Sequence, residues 1–313
     1  MNMDLALQIG MLLVGFAMLV KGADWFVEGT AGIAEKFHIP QLVIGLTIVA
    51  MGTSAPEAAV SITAGLEGNA GITVGNIVGS NILNILIILG ITAVITRVAI
   101  RQSTLRYEIP YMLIITLVLL YMGYTGGTIN WIEGIVLWVL FILYLGYLFR
   151  MAKRGKVDLE NEEIEDHNIW GLLLYGVIGG VLIVWGSNVA VKGATEIAET
   201  FGLSQRFIGL TIVALGTSLP ELFTSVTAAI KGKADIAIGN IVGSNIFNIL
   251  FVIGTTSLIT PVVFESKFVI DTLIAVGAGI LLWLAVIRHK ELRKVWGVIF
   301  LLAYCGYFIY LIQ

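Results

Sequence analysis

The sequence predicts an all-α polytopic membrane protein with ten transmembrane helices in two inverted five-helix repeats, of which helices two and seven are broken. Its composition is too apolar for a soluble domain, since 58% of its 313 residues are hydrophobic, 12% are charged and the mean hydropathy is +0.96. Uncharged runs of about 20 residues, enough for a helix to cross a hydrocarbon core of about 30 Å, recur along the chain. A stretch of 47 residues occurs twice, at 44–90 and 208–254, with 30 identical positions at a constant offset of 164.

Each half of the sequence contains five apolar segments that match in order. The first segment is long, with an amphipathic second half; the second is interrupted by Gly52 and Pro56, or by Gly216 and Pro220, and three further runs follow. The ten predicted segments cover residues 5–37, 39–66, 72–96, 109–123, 131–149, 169–201, 207–230, 236–259, 268–287 and 295–312. We therefore divide the chain into a first five-helix repeat (1–150), a cytoplasmic linker (151–167) and a second, inverted repeat (168–313).

The loop charges predict how these segments are oriented. Because five is an odd number, the second repeat enters the membrane from the side opposite to the first. The loops after segments one, three, five, seven and nine carry 14 Lys or Arg residues, whereas the other loops carry only Arg206 and Lys267. The positive-inside rule makes the first set of loops cytoplasmic and places both termini outside the cell, in a multi-pass protein of the cell membrane.

Other features of the sequence exclude several classes of protein. The net charge of −3 and the lack of a basic stripe argue against a nucleic-acid partner. The single cysteine, Cys305, excludes a disulfide framework or a cysteine-rich metal motif. The N-terminus lacks the basic cluster and cleavage site of a secretory signal, so the first helix is expected to remain in the mature protein. No cofactor is expected, and no obligatory protein partner is evident.

The broken segments each carry one glutamate, Glu57 or Glu221, near the middle of an apolar run. A carboxylate at the centre of a transmembrane helix costs about 2.5 to 3.5 kcal/mol on insertion scales. Lys21 and Lys192 lie on other helices and at different repeat-aligned positions, so neither is placed to neutralise these acids. The pattern therefore predicts a bound cation. An ion pair or a protonated core glutamate is the structural alternative, which the duplication of the carboxylate disfavours.

Oxygen-bearing groups surround both glutamates in the sequence. Pro56 and Pro220 have no N–H, so the carbonyls four residues earlier lose their helical donors, and unwound backbone of this kind coordinates cations in secondary transporters; a plain proline kink is the alternative. Hydroxyls and amides recur on shared helical faces at Thr53, Ser54, Ser80 and Asn84, and at Thr217, Ser218, Ser244 and Asn248. This set contains no His or Cys, which suits a hard cation such as Ca²⁺ and is poor for zinc or copper.

Small and amide residues in segments three and eight predict packing roles. Gly75 and Gly79, like Gly239 and Gly243, have the GxxxG spacing of closely packed helices. Four further asparagines are expected to form hydrogen bonds between helices or to support the site, and the sequence favours the structural role. They are Asn76, Asn81, Asn240 and Asn245.

The repeated motifs resemble the paired α-repeats of prokaryotic-type sodium/calcium exchangers, in the calcium–cation antiporter superfamily. The resemblance lies in GTSAPE (52–57) and GTSLPE (216–221), followed by GNIVGSNILN (75–84) and GNIVGSNIFN (239–248). It implies a secondary active antiporter that exchanges Na⁺ for Ca²⁺ by alternating access at a midplane site, with segments one and six sliding over the rest. Ca²⁺ and Na⁺ are then the transported substrates.

The same resemblance implies a role for each matching residue. Glu57 and Glu221 would hold Ca²⁺ and share Na⁺, and Asn84 and Asn248 would stand at the central position. The carbonyls of Thr53 and Thr217 would be ligands, and the flanking Na⁺ sites would be lined by Ala50, Ser54, Ser80, Ala214, Ser218 and Ser244. Some archaeal-type and potassium-dependent members have an Asp where this chain has Asn248, so a potassium requirement is not expected.

Three other functions fit parts of the pattern. A proton/Ca²⁺ antiporter would load the two glutamates with protons in place of Na⁺, although the neutral hydroxyls favour Na⁺. A passive cation channel would carry the same ions without a counter-ion. An intramembrane hydrolase using Ser54 or Ser218 lacks a His or Lys base at matching depth in both repeats, so the protein is not expected to be an enzyme.

Overall fold

The computed structural model describes residues 3–66, 71–159, 168–201 and 214–312, which form helices and four two-residue strands. The helices are α1 (Met3–Lys36), α2 (Gln41–Ile44, Gly45–Val49 and Ala50–Thr53), α3 (Ala55–Leu66), α4 (Gly71–Leu83, Asn84–Ile88 and Leu89–Ile95), α5 (Thr104–Glu108 and Ile109–Gly126), α6 (Trp131–Leu159), α7 (Ile169–Thr200), α8 (Ala214–Thr217), α9 (Leu219–Ile230), α10 (Ala234–Phe247, Asn248–Ile253 and Gly254–Ile259), α11 (Lys267–Ile287) and α12 (Lys294–Ile312). The strands are β1 (Val98–Ala99), β2 (Thr128–Ile129), β3 (Val262–Val263) and β4 (Glu291–Leu292).

Eight helices in the described residues are long and apolar enough to cross a membrane: α1, α4, α5, α6, α7, α10, α11 and α12. Helices α2 and α3 pass the same test together, across a bend of 50° between them, and make a ninth candidate span. The protein is therefore an all-helical membrane protein. Part of the predicted seventh segment, residues 207–213, lies outside the described residues, and α8 and α9 form the rest of it. Ten spans in two inverted repeats remain a prediction.

Two helices extend beyond their predicted ends. Helix α5 begins at Thr104 with a π-helical turn, five residues before the predicted start at residue 109. Helix α6 continues to Leu159, ten residues past the predicted end of segment five and into the predicted linker. The sequence there contains Arg, Met, Ala and Lys, which are good helix formers, so the helix persists after its apolar part ends.

Helices α4 and α10 form the centre of the bundle. In the most apolar stretch of α10, 94% of the residues are buried, compared with 17% in α1 and in α12. The glycines of α10 allow this close packing, as their spacing predicted, whereas the same prediction is wrong for Gly79 of α4, where an added Cβ would meet nothing within 4 Å. A Cβ added to Gly239 would lie 3.0 Å from the Cα of Gly45 in α2, and one added to Gly243 would lie 2.8 Å from the Cα of Leu46.

The two longest helices, α1 and α7, cross each other through glycines spaced seven residues apart. A Cβ on Gly22 would lie 2.9 Å from the carbonyl oxygen of Gly179, and a Cβ on Gly186 would lie 2.9 Å from the carbonyl oxygen of Gly15. The two sets are related by the repeat offset of 164 and comprise Gly15, Gly22 and Gly29 in α1 with Gly179, Gly186 and Gly193 in α7. Backbone therefore meets backbone along much of this crossing.

Ion pairs tie α1 to the connection between α9 and α10. Lys231 Nζ lies 2.5 Å from Asp24 Oδ1 and 3.5 Å from Glu28 Oε2. Lys233 Nζ lies 2.6 Å from Glu35 Oε1. The repeat equivalents of the two lysines are Glu67 and Asn69 in the sequence, so this cationic pair belongs to one half only.

The four short strands join the two halves of the chain. Strand β1 pairs antiparallel with β4, with Val98 opposite Leu292, and β2 pairs antiparallel with β3, with Thr128 opposite Val263. The offset of 164 that aligns the repeats carries β1 onto β3 and carries Thr128 of β2 onto Leu292 of β4. Each ladder therefore contains one strand from each half, and the repeat relationship exchanges the two ladders.

Candidate functional site

Two helix breaks place the polar residues that both repeats share in the interior. Ser54, between α2 and α3, has φ −81° and ψ 6°, and Ser218, between α8 and α9, has φ −90° and ψ 4°. A proline follows each serine by two residues and fits the first turn of the new helix, where no N–H is needed. The breaks bring Glu57 into the first turn of α3 and Glu221 into the first turn of α9, and each is 1% exposed.

Each glutamate is held by the serine of the opposite half. Ser54 Oγ donates to Glu221 Oε1 at 2.8 Å, and Ser218 Oγ donates to Glu57 Oε1 at 3.2 Å. The second carboxylate oxygen of each residue, Oε2, is buried and has no hydrogen-bond partner within the described part of the chain. The two broken helices therefore exchange one hydrogen bond each and leave one acceptor oxygen per glutamate unused.

Two asparagines add a second pair of unused oxygens. Asn84 and Asn248 each open a π-helical segment of α4 or α10, a local widening that is frequent at functional sites. Asn84 Nδ2 donates to Asn245 Oδ1 at 2.8 Å, and Asn248 Nδ2 donates to Asn81 Oδ1 at 3.1 Å. The amides are thereby oriented, and the Oδ1 atoms of Asn84 and Asn248 are left buried without a partner among the described residues.

The supporting asparagines also bond to each other's backbone. Asn81 Nδ2 donates to the carbonyl of Asn245 and Asn245 Nδ2 donates to the carbonyl of Asn81, both at 3.2 Å. This reciprocal pair links α4 with α10 across the two halves. The predicted role of these residues in bonding between helices is thus confirmed, and they orient the asparagines of the site as well.

A second layer of hydrogen bonds fixes the broken helices. Thr53 Oγ1 donates to Asn240 Oδ1 at 2.9 Å, and Asn240 Nδ2 donates to Ser225 Oγ at 2.9 Å. In the other half, Asn76 Nδ2 donates to Ser61 Oγ, also at 2.9 Å. Asn76 and Asn240 therefore tie α4 to α3 and α10 to α9 by the same contact.

The remaining predicted site residues lie around this centre. Ser244 Oγ donates to the carbonyl oxygen of Ala50 at 3.4 Å, and Ser80 is buried. Thr217 is half-buried at the end of α8, and Ala214 begins that helix. The structure thus pairs Ser54 with Glu221 and Ser218 with Glu57 across the two halves. A separate set of hydrogen bonds holds Asn84 and Asn248, and further bonds hold Thr53, Ser244 and Ala50.

Within the described ranges of the chain, no protein cation forms an ion pair with Glu57 or Glu221. No group of three or more His, Cys, Asp or Glu side chains forms in those ranges either. Buried charges are normally paired or bound to a metal ion. A site with two carboxylates and two amide oxygens, each with an unused lone pair, is suited to a cation with oxygen ligands.

Several residues near the site were not anticipated from the sequence. Ser187 of α7 is buried and donates from Oγ to the carbonyl of Gly216 at 2.7 Å, the carbonyl that Pro220 deprives of its helical donor. Its repeat equivalent is Ala23, so the duplication gave no signal for it. The glycines of the α1–α7 crossing do follow the repeat offset, and extending the alignment beyond the 47-residue stretch would have found them.

A cavity of about 510 Å³ borders the site between α1, α7 and the end of α2. Phe26 of α1, Gly180 of α7 and Thr53 of α2 are among the residues that line it. Because Thr53 also bonds to Asn240 of the hydrogen-bond network, the cavity reaches the edge of the site. Oxygen groups buried at the centre of membrane-spanning helices, beside such a cavity, define a membrane protein of ion transport.

Comparison with known proteins places the chain within this class. The family model described as "Sodium/calcium exchanger protein" matches residues 7–150 and 171–313. CaxA of Alkalimonas amylolytica is 39% identical over 95% of this chain and 96% of its own length, and the sodium/calcium exchanger MaX1 of Methanosarcina acetivorans is 33% identical over 96% and 97%. A solved structure of the sodium-calcium exchanger NCX_Mj, soaked with zero Na⁺ and Ca²⁺, has a TM-score of 0.85 at 31% identity and covers 98% of this chain and 99% of that one. The chain belongs to the sodium/calcium exchanger family.

Proposed function

We propose that this protein exchanges Na⁺ for Ca²⁺ across the membrane by alternating access at the site around Glu57 and Glu221. One observation carries the proposal: four buried oxygens, Oε2 of the two glutamates and Oδ1 of Asn84 and Asn248, have no hydrogen-bond partner in the described residues. An unsatisfied buried acceptor costs about 1 to 3 kcal/mol, and more when it is charged. A bound cation offsets that cost at all four atoms.

The charge of the site favours exchange over one-way transport. Two carboxylates give the empty site a charge near −2, which one Ca²⁺ or two Na⁺ neutralises. An empty site leaves both acids buried and unpaired, a state that repulsion and desolvation disfavour. Passage between the two access states therefore requires bound ions, and the two kinds of ion compete for the same oxygens.

The flanking hydroxyls and carbonyls are proposed as the additional Na⁺ ligands. Ser54 and Ser218 contact the carboxylates directly, and Ser244 lies against the carbonyl of Ala50. Neutral oxygens of this type suit a monovalent ion, whose charge needs less compensation than that of Ca²⁺. The other proposed contributors are Thr53, Ser80, Ala214 and Thr217.

The proposed inverted topology is supported by the strand ladders. Strands β1 and β4 follow predicted segments three and nine, whose loops were assigned to the cytoplasmic face, and they pair with each other. Strands β2 and β3 follow segments four and eight, assigned to the opposite face, and they also pair. We propose that α1 and α7 slide as a pair across the rest of the bundle to change which face is open, since their glycine contacts join these two helices closely to each other.

Transport by reconstituted protein tests the proposal. We would measure radioactive Ca²⁺ uptake into Na⁺-loaded proteoliposomes, diluted into Na⁺-free or Na⁺-equal buffer, for the wild type, Glu57→Gln and Glu221→Gln. We expect uptake that requires the outward Na⁺ gradient and falls at least 100-fold in both variants. Glu108→Gln is the matched control, because Glu108 is also a buried carboxyl group but lies on α5 and accepts from the Tyr147 hydroxyl.

The same assay separates the alternatives. Uptake that ignores Na⁺ and follows an imposed pH gradient assigns the site to proton/Ca²⁺ antiport, in which the two glutamates take up protons. Uptake indifferent to both gradients indicates a passive channel. Equal losses in Glu108→Gln and in the two site variants contradict the assignment of the site itself.

A further inference from the structure

A second cavity, of about 430 Å³, lies where α6 leaves its apolar span. We call it the arginine pocket. Its charged lining consists of Arg101, from the connection between β1 and α5, together with Arg150 and Arg154 of α6. Tyr107 of α5 and Tyr147 of α6 complete its aromatic side, with their ring centroids 6.2 Å apart. None of these residues belongs to the ion site.

The arginine pocket has an excess of positive charge. Arg101 pairs through Nε with Asp235, whereas Arg150 and Arg154 are exposed and have no ion pair in the described part of the chain. The other acid nearby, Glu108, is buried and accepts from the Tyr147 hydroxyl behind the cavity wall. Among the described residues, two guanidinium groups therefore line the cavity without an acid paired to them.

The shape and position of the pocket select the kind of anion. Tyr147, Arg150 and Arg154 follow one another at three- and four-residue spacing, so they share one face of α6. Guanidinium groups bind phosphate oxygens in pairs of hydrogen bonds. Leu42 and Met151 give the cavity an apolar wall, and Tyr107 is 58% exposed beside it, as aromatic residues at the membrane interface are. A ligand that has a phosphate group and an apolar part and that lies at the membrane interface is a phospholipid.

The pocket is not a by-product of the internal repeat. The repeat equivalents of Arg101 and Tyr107 are Glu265 and Asp271, and that of Ser103 is Lys267, so the second half does not repeat the positive charge of the lining. We propose that Arg150 and Arg154, placed together with Arg101 over an apolar wall at the end of α6, bind the phosphate headgroup of an anionic phospholipid. A zwitterionic headgroup fits less well, because its ammonium group would approach the guanidinium groups.

Native mass spectrometry of the detergent-purified full chain tests this site. Phosphatidylglycerol and phosphatidylcholine of equal chain length would be titrated into the wild type, Arg150→Gln/Arg154→Gln and the control Arg288→Gln/Lys294→Gln, which removes two exposed cations elsewhere. We expect one phosphatidylglycerol to bind the wild type and the control about tenfold more tightly than it binds the pocket variant. Phosphatidylcholine should bind all three proteins weakly and equally.

A further variant and a competition with inorganic phosphate complete the test. Arg150→Lys/Arg154→Lys keeps the charge but not the paired hydrogen bonds, and should fall between the wild type and the glutamine variant. If the glutamine variant unfolds, the lysine variant carries the comparison. Equal phosphatidylglycerol affinity in all variants overturns the proposal, and displacement of the lipid by millimolar inorganic phosphate overturns it in favour of a free-anion site.

Discussion

The ion site and the α1–α7 crossing are both built twice from the same repeat, yet they use opposite chemistry. In the site, side chains from one half bond to side chains of the other, as Ser54 does to Glu221 and Ser218 to Glu57. In the crossing, glycines such as Gly22 and Gly179 bring backbone against backbone. Directional hydrogen bonds fix a geometry to within a few tenths of an ångström, whereas packing between smooth helix surfaces fixes mainly the distance between them.

This difference indicates which part of the molecule is rigid and which part is able to move. The site is held by the reciprocal bonds of Asn81 and Asn245, so α4 and α10 are expected to stay together in every state. The crossing contains few such bonds in the described residues; one is from Thr200 Oγ1 to Gln8 Oε1 at 3.3 Å. The proposed movement of α1 and α7 as a pair would then change access to the site without rebuilding it.

Among the variants that test this comparison, the largest effect is expected from filling the crossing. In Gly22→Ala the new Cβ meets the Gly179 carbonyl at 2.9 Å, and overpacking of about 2 kcal/mol is expected to slow turnover roughly 30-fold. Ca²⁺ binding measured by equilibrium dialysis should be unchanged, because α1 provides none of the four unused oxygens. Gly176→Ala is the control, since its Cβ meets nothing within 4 Å. A loss of binding equal to the loss of turnover would show that the crossing is part of the site.

A smaller effect is expected from the supports of the site. Asn81→Ala leaves the amide of Asn248 without its acceptor, and Asn245→Ala does the same to Asn84. We expect each variant to weaken Ca²⁺ binding about tenfold, which corresponds to about 1.4 kcal/mol. The two losses should agree within a factor of three, because the reciprocal bonds are equal in length. Strongly unequal losses would mean that the halves contribute differently, and calorimetry on each variant measures this directly.

The smallest effect is expected from the ion pair that joins α1 to the connection between α9 and α10, on one face of the bundle. Lys233→Gln removes the ion pair with Glu35, a partly exposed contact worth about 0.5 kcal/mol. Loss of this tie should raise the population open on that face and tighten the apparent Ca²⁺ affinity there about twofold. Vesicles of known orientation permit the measurement from each face. Lys267→Gln is the control, because its partner Glu265 is a near neighbour in sequence, and it should leave the apparent Ca²⁺ affinity unchanged on both faces. An equal change of affinity on the two faces in Lys233→Gln would contradict a role on one face only.

The duplication is the feature of the sequence that singles out the candidate site. A glutamate that occurs once in an apolar segment has many explanations, but Glu57 and Glu221 at the same position of two repeats have few. The same logic identified Asn84 and Asn248 and the serines at the helix breaks. The helical class of the fold followed from hydropathy alone, since a helix in lipid satisfies its own backbone.

What the sequence did not predict depends on contacts between halves or on one half alone. The pairing of Ser54 with Glu221, and not with its near neighbour Glu57, is a tertiary contact with no local pattern. The π-helical turns that begin at Asn84 and Asn248 arise from packing, since the residues within them are ordinary helix formers for a membrane segment. Ser187 and the arginine pocket occur once, so comparison of the repeats passes over both.

Because each half supplies a hydrogen bond to the other, the site can form only after both halves have been synthesised. Glu57 leaves the ribosome 164 residues before Glu221, the residue whose helix break supplies its partner Ser218. At about 5 to 20 residues per second, that interval lasts roughly 8 to 33 s. During it the first half lies in the bilayer with an acid that has no partner and with strand edges that have no neighbour. The hydrogen bond from Ser218 to Glu57 and the strand pairs therefore form only after the second half has been made, and slow translation lengthens that interval.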